Sequence, residues 1–380
     1  MVNVDSIRLN NSLKVLNFIM KNEISRADLA RKTSLTKTTV GGIVRDFIDL
    51  GFLREKRFAS SGIGRPSVLL EIIPNSVHAI GLEIERHRVS GCLTDVPGHL
   101  LAQKSISFSK SDFSSIMNSI FEVLDDLFAK ASKRSVNVNA IVVGAPSPLD
   151  RESGIIKDPP KFSDFENVPI VDLMYKKYGV DVWIENDVDM VALGEKWFGE
   201  ARTLDDFMYV QVNEGIGAGI ITNGELYRGK EGYSGEIGHF LIFKNGEYRY
   251  LEDLYGVDVI VSRAKKEISP HISSIQDIEK LLASKNKKAE KLVIETGQAI
   301  GAAILSMIHT LGISDVFVGG KIVVLGKIFL ASVQEMISKH IFSKSEINIR
   351  FSNVKETAVA IGAAGQGIRL YLQKLIAEKG

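Results

Sequence analysis

The sequence predicts an α/β protein with two lobes, preceded by a small domain of three helices and two short strands. Three observations lead there. At 380 residues the chain is too long for one ordinary core. Runs of β-branched residues in threes, followed by helix and strand patterns, occur twice. The first seventy residues differ from the rest in rhythm and charge. Apolar residues make up 45% and charged residues 24%, which places the chain among globular proteins rather than disordered or fibrous ones.

The net charge of +1 hides a split. Residues 1 to 70 carry 12 Lys and Arg against 6 Asp and Glu, whereas the remainder carries 35 against 40. A basic small domain joined to a mildly acidic large region implies that only the first part meets a polyanion. The single cysteine, Cys92, excludes an internal disulfide and any multi-cysteine zinc site. The start MVNVDSIRLNNSLK lacks the basic-then-apolar order of a signal peptide, and the apolar runs are short. A cytoplasmic protein without membrane contact is expected.

In NNSLKVLNFIMKN, Leu13, Leu16, Phe18, Ile19 and Met20 fall on a broad helical face. Ser25 is placed to cap a second helix over Arg26 to Lys32, and Thr36 to cap a third that buries Val40, Ile43 or Val44, and Phe47. Gly51 is a C-terminal stop signal. With FLREKRF and RPSVLLEI as strands, these helices make a winged helix-turn-helix. In such a unit the last helix enters the DNA major groove by its N-terminal end. Lys37, Thr38, Thr39 and Arg45 are then the candidate DNA contacts, with Arg65 of the SGIGRP wing reaching a minor groove. Two operator half-sites need two such helices, so a homodimer is expected.

After IPNS, the segment from Val77 to Phe108 reads as three antiparallel strands, followed by a helix from Phe113 to about Lys130 and the strand AIVVGAP. The strand VWIEND runs straight into the helix VDMVALGEKWFG. FMYVQV and GAGIITNGELYRG follow, with Asn223-Gly224 as a two-residue hairpin signal. Long helices at about 286 to 310 and 356 to 374 flank the strand DVFVGG. Two α/β lobes with a cleft between them are the expectation.

The segments GAPSPLD, IENDVDMVALGEKWFG, GIGAGIITNGELYRGKEGYSGEIGH and VFVGG resemble, in this order, the ROK family of bacterial sugar kinases and sugar-responsive repressors. The resemblance extends to the winged helix, which the repressor branch carries. It implies a two-lobed, actin-like ATPase fold whose C-terminal helix returns to the first lobe. The domains would then be 1–74, 75–187 joined by 355–380, and 188–354. Its implied activity is transcriptional regulation by a hexose bound in the interlobe cleft, or alternatively ATP-dependent phosphorylation of a hexose or N-acetylglucosamine.

Asn186 and Asp187 lie where a strand becomes a helix, where a carboxylate can contact a sugar hydroxyl or cap the helix. The resemblance gives Asp187 the general-base role in a kinase and gives both residues sugar contacts. Glu236 and His239 match the family's Glu-x-Gly-His element, and Glu252 matches a later acidic position, so all three are candidate sugar contacts. In the family that His is also a zinc ligand beside three cysteines. FLIFKNGEYRYLE contains none, so no structural zinc is expected, and Phe243, Tyr248 and Tyr250 are expected to fill the space by packing.

Gly215, Gly217, Gly219, Gly319 and Gly320 would line nucleotide phosphates if ATP and Mg were used. The family's other phosphate loop, Asp-x-Gly-Gly-Thr, is replaced here by GLEIERHR, which sets Glu83, Glu85 and Arg86 facing a polyphosphate. Carboxylates there oppose its binding. Ser147 stands where the family commonly has glycine. A regulator that requires no cofactor is therefore the leading expectation.

Overall fold

The structure is a computed structural model and describes residues 4–20, 23–57, 68–96, 98–110, 112–159, 162, 165–342, 346–354 and 358–379. The chain divides into two compact units, Met1–Met190 with Glu356–Gly380, and Val191–Lys355.

The first unit begins with the winged helix: α1 Val4–Ile19, β1 Ile24–Ser25, α2 Arg26–Thr33, α3 Lys37–Asp49, β2 Leu53–Arg57 and β3 Val68–Ile72. The three strands pair in the order β1-β3-β2. The expected caps form. Ser25 accepts from the Asp28 N–H, Thr36 accepts from the Thr39 N–H, and Gly51 takes the left-handed φ of +70° that stops α3. Val40, Ile43, Val44 and Phe47 are all buried. Every third or fourth position of α3 therefore faces the core and leaves the opposite stripe to solvent.

The same unit continues with β4 His78–Glu85, β5 Arg88–Asp95, β6 Leu100–Ser107, α4 Phe113–Lys133, β7 Ala140–Ala145, β8 Leu149–Asp150, β9 Ile155–Ile156, α5 Ile170–Tyr178, β10 Asp181–Asn186 and the start of α6, Asp187–Phe198. Its five-stranded sheet has the order β10-β7-β4-β5-β6. The strands β4, β5 and β6 are antiparallel, while β7 and β10 add in parallel.

The second unit holds β11 Phe207–Val212, β12 Ile216–Thr222, β13 Glu225–Leu226, β14 Leu241–Lys244, β15 Glu247–Tyr250, α7 Leu251–Tyr255, α8 Val257–Glu267, α9 Ile275–Ala283, α10 Lys287–Leu311, β16 Asp315–Gly319, α11 Gly326–His340 and β17 Asn348–Phe351. Its sheet order is β13-β12-β11-β16-β17. Three antiparallel strands followed by two parallel additions repeat the pattern of the first unit. This duplicated sheet is the actin-like ATPase architecture. Asn223 and Gly224 both have positive φ, as the β12–β13 hairpin requires. By length and composition α10 could span a membrane, but its apolar side is packed into the core of its own unit.

The last helix, α12 Ala358–Glu378, returns to the first unit. Its Ala360, Ala364, Ile368, Leu372 and Ile376 are buried in one cluster with Ala79 and Cys92 of the sheet and with Val15, Leu16, Val40 and Phe47 of the winged helix. Gly81 makes this approach possible, because a Cβ there would lie 1.8 Å from the Ala360 carbonyl oxygen.

Candidate functional site

In the winged helix, Lys37, Thr38 and Arg45 are exposed, and Thr39 is half-buried. Thr38 and Arg45 are seven residues apart, two turns of helix, and share a face. The Thr39 hydroxyl lies 2.9 Å from the Thr36 hydroxyl and belongs to the cap rather than pointing outward as expected. Three carboxylates of this domain are engaged elsewhere: Asp46 pairs with Arg8 at 2.9 Å and Glu71 with Arg54 at 2.7 Å, while Glu55 pairs with Arg26. Among the described residues no carboxylate pairs with Lys37 or Arg45, so their charge is available to a phosphate backbone. Arg65 lies outside the described residues.

At the end of β10, Asn186 rather than Asp187 caps α6. Its Oδ1 accepts the Asp189 N–H at 3.1 Å, and its Nδ2 donates to Ser147 Oγ at 2.9 Å. Asp187 opens the helix and accepts the Val188 N–H at 2.8 Å, in a position the helix dipole favours for an anion. Both residues are half-exposed. Behind them the neighbours turn inward. Buried Glu185 and Asp189 take Arg151 at 2.9 and 3.3 Å, and Gln366 of α12 donates to the other Glu185 oxygen at 3.3 Å. This support was not foreseen. The alternation of acids at 185, 187 and 189 across the strand end is the signal that could have found it.

Glu83 does not face outward toward a polyphosphate. It is buried, with the Ser90 hydroxyl donating to it at 2.9 Å. Burial, with the nearby Glu85 charge, pushes its carboxyl up to about 8, and Asp187 adds to the effect. Glu85 pairs with Arg88.

In the second unit, Glu236 and His239 sit on a single 3₁₀ turn, Ile237–His239, with Glu236 Oε2 3.7 Å from His239 Nδ1. Both are partly exposed. Gly235 before them has φ +81°, and a Cβ there would strike the Ala218 oxygen at 1.7 Å. Glu252, the third candidate sugar contact of this unit, accepts the Ile216 N–H at 3.3 Å, and it would meet any Cβ at Gly238 at 2.5 Å. It therefore braces the turn against the glycine strand.

Gly217 and Gly219 lie in β12, opposite Gln211 and Tyr209 of β11. Gly319 admits the Tyr209 hydroxyl, which a Cβ would meet at 1.8 Å, and Gly320 has φ +88°. The Gly215 and Gly320 turns are tied together. The Lys321 N–H donates to Asn213 Oδ1 at 2.8 Å, and the Lys321 ammonium lies 2.7 and 3.0 Å from the Glu214 oxygens. A nucleotide phosphate arriving at these glycines would meet a carboxylate and a lysine that is already neutralised.

Tyr248, Tyr250 and Phe243 do not fill a void by packing. All three are exposed on the β14–β15 hairpin, because the half-buried Ile242 and Lys244 take the inward face. Lys244 is held there by Glu295 at 2.7 Å.

Residues 79–366 match the ROK family model, and the chain belongs to that family. It is 27% identical to the Xylose repressor of Caldicellulosiruptor bescii, over 93% of this chain and 94% of that protein. It is 23% identical to the DNA-binding transcriptional repressor Mlc of Escherichia coli, over 95% of this chain and 93% of that one. A crystal structure of a ROK family transcriptional regulator, a homolog of the E. coli Mlc protein, superposes with a TM-score of 0.83 at 24% identity, covering 98% of this chain and all of that one. A ROK family glucokinase from Streptomyces griseus, in complex with glucose and AMPPNP, superposes with a TM-score of 0.68 at 20% identity, covering 77% of this chain and 99% of that one.

Proposed function

We propose that the chain is a sugar-responsive transcriptional repressor that acts in the cytoplasm as a homodimer on operator DNA and requires no nucleotide or zinc. The observation that carries this reading is the exposed face of α3 with Lys37, Thr38 and Arg45, whose two cations pair with no carboxylate among the described residues. The names of the relatives, Xylose repressor and transcriptional repressor Mlc, support it. The effector is a hexose or derivative, with Asn186 and Asp187 as its candidate contacts in the first unit and Glu236, His239 and Glu252 in the second. A sugar regulates DNA binding only if it binds the DNA-competent and incompetent states with different affinity.

The test is to select duplexes from a random-sequence pool with the full chain, then to titrate glucose, mannose, N-acetylglucosamine and xylose without ATP. One sugar should change affinity for the selected duplex at least tenfold. Enrichment of no duplex would overturn the reading.

A second reading, an ATP-dependent hexose or N-acetylhexosamine kinase, is favoured by the half-exposed Asp187 at the start of α6. In it Asp187 takes the proton of the attacking hydroxyl and Gly215, Gly217, Gly219, Gly319 and Gly320 approach the phosphates of Mg-ATP. The buried Glu83 and the Lys321–Glu214 pair weigh against it. Sugar phosphorylation in a coupled assay, abolished by Asp187→Ala, would reverse the order of the two readings.

A further inference from the structure

The β14–β15 hairpin inverts the usual division of a surface sheet, in which the inner face is apolar and the outer face polar. Its register pairs Leu241 with Tyr250 and Phe243 with Tyr248, so these four side chains share one face. They are 61%, 43%, 64% and 71% exposed, respectively. The phenyl ring of Phe243 packs beside Tyr248, with centroids 5.1 Å apart. The opposite face is the one that is held: Ile242 packs on the core of the unit, and Lys244 is bound by Glu295 and the Tyr255 hydroxyl. Water therefore meets a continuous face of one leucine and three aromatic rings. A contiguous exposed apolar face of this kind marks a contact site.

The face begins at the turn carrying Glu236 and His239. The Tyr250 and His239 rings meet edge to face with centroids 4.9 Å apart. Its size limits what covers it. Four such side chains at these exposures present on the order of 400–500 Å², about half the roughly 800 Å² per partner of a stable protein dimer. Its chemistry limits the occupant further. None of its four side chains is cationic, so it does not suit a nucleic acid backbone. Flat aromatic rings with phenolic hydroxyls at their rim match a ligand that is apolar on its ring faces and polar at its edges. Sugar rings have that character, and two or three of them in a row have the right extent.

We infer that this face is an extension subsite and that the effector is a saccharide of two or more rings. Its first ring is held at Glu236 and His239, and the following rings lie on Tyr250, Phe243 and Tyr248. The inference rests on the sugar reading of Glu236 and His239. It names the class of effector, and it makes the hairpin the element that separates an oligosaccharide from its monomer.

The test uses the full chain and three matched series in isothermal titration: xylose, xylobiose and xylotriose; glucose, cellobiose and cellotriose; N-acetylglucosamine and its β-1,4-linked dimer and trimer. In one series the dimer or trimer should bind at least tenfold more tightly than its monomer. That advantage should disappear in the double variant Phe243→Ser, Tyr248→Ser, with monomer affinity unchanged. Circular dichroism and the melting temperature establish that the variant is folded, and Tyr248→Phe alone in the wild-type chain should retain most of the advantage. Monomer binding with no gain from added rings, or a gain that survives the double substitution, overturns the inference and leaves the sugar reading standing. Failure of every member of all three series to bind overturns the sugar reading as well. Dissociation of a dimer by the double substitution in analytical ultracentrifugation would assign the face to a second copy and overturn the inference.

Discussion

The corner that presents Asn186 and Asp187 and the turn that presents Glu236 and His239 are built on different principles. At the corner the side chains are fixed from several directions. Ser147 and the Asp189 amide hold the Asn186 side chain, the Val188 amide holds Asp187, and Arg151 ties the neighbouring Glu185 and Asp189 behind them. At the turn, the backbone is fixed by glycines that admit no Cβ, while the Glu236 and His239 side chains remain partly in water. A ligand at the corner would meet a preformed hydrogen-bonding edge, and a ligand at the turn would meet adaptable groups. Preformed edges discriminate, because a mismatched ligand leaves buried polar groups unpaired, and adaptable ones tolerate variation.

The sharpest way to break this contrast is to remove the support behind the corner. Arg151→Ala leaves Glu185 and Asp189 buried without their guanidinium and should cost about 3 kcal/mol in urea unfolding. It should also weaken sugar binding by loosening the residues behind Asn186 and Asp187. Loss of less than about 1 kcal/mol would mean the corner is held by its backbone alone.

A smaller effect is expected at Glu83, whose carboxyl is pushed up to about 8 by burial, well above its ordinary value. Between that ordinary value and pH 8 the folded chain holds a proton that the unfolded chain releases. Stability should therefore fall as pH rises through this window and level off above it. Glu83→Gln keeps an acceptor for Ser90 and removes the charge. Its melting temperature should match the wild type near pH 4.5 and exceed it by several degrees at pH 8.5, a gain of roughly 1–3 kcal/mol. Parallel pH profiles for the two proteins would contradict the burial argument.

The smallest and most direct comparison sets Asn186→Ala beside His239→Ala. Both should weaken sugar binding. Asn186→Ala should also cost about 1 kcal/mol of stability through the lost cap, whereas His239→Ala should stay within about 0.5 kcal/mol of the wild type. Equal stability losses would erase the distinction between fixed corner and open turn.

Where local chemistry decides the conformation, the sequence was readable. Ser25, Thr36, Gly51 and Asn223-Gly224 each form the cap or turn that their residue types require, because the determining hydrogen bond is made within a few residues. What depends on distant partners was not. Nothing in IENDVD says which of two adjacent polar residues will cap α6, because the choice follows from Ser147, which reaches Asn186 from another loop. The direction of Glu83 is settled by Ser90 on the neighbouring strand. The aromatic hairpin was misjudged for a related reason. Alternation in FLIFKNGEYRY separates two faces but does not say which of them meets the core. Size and hydrophobicity favoured the aromatic one, whereas Lys244 and its partner Glu295 bind the other.

The helix α12 also has a consequence for the order in which the protein is made. The winged helix begins at Val4, but its buried cluster is completed by α12, which starts at Ala358. On the ribosome the recognition helix therefore emerges long before the surface it rests on. A nascent or prematurely ended chain carries Lys37, Thr38 and Arg45 on an unfinished core, exposed to proteolysis and chaperones. A completed core beneath α3 is thus reserved for chains that have been translated through α12.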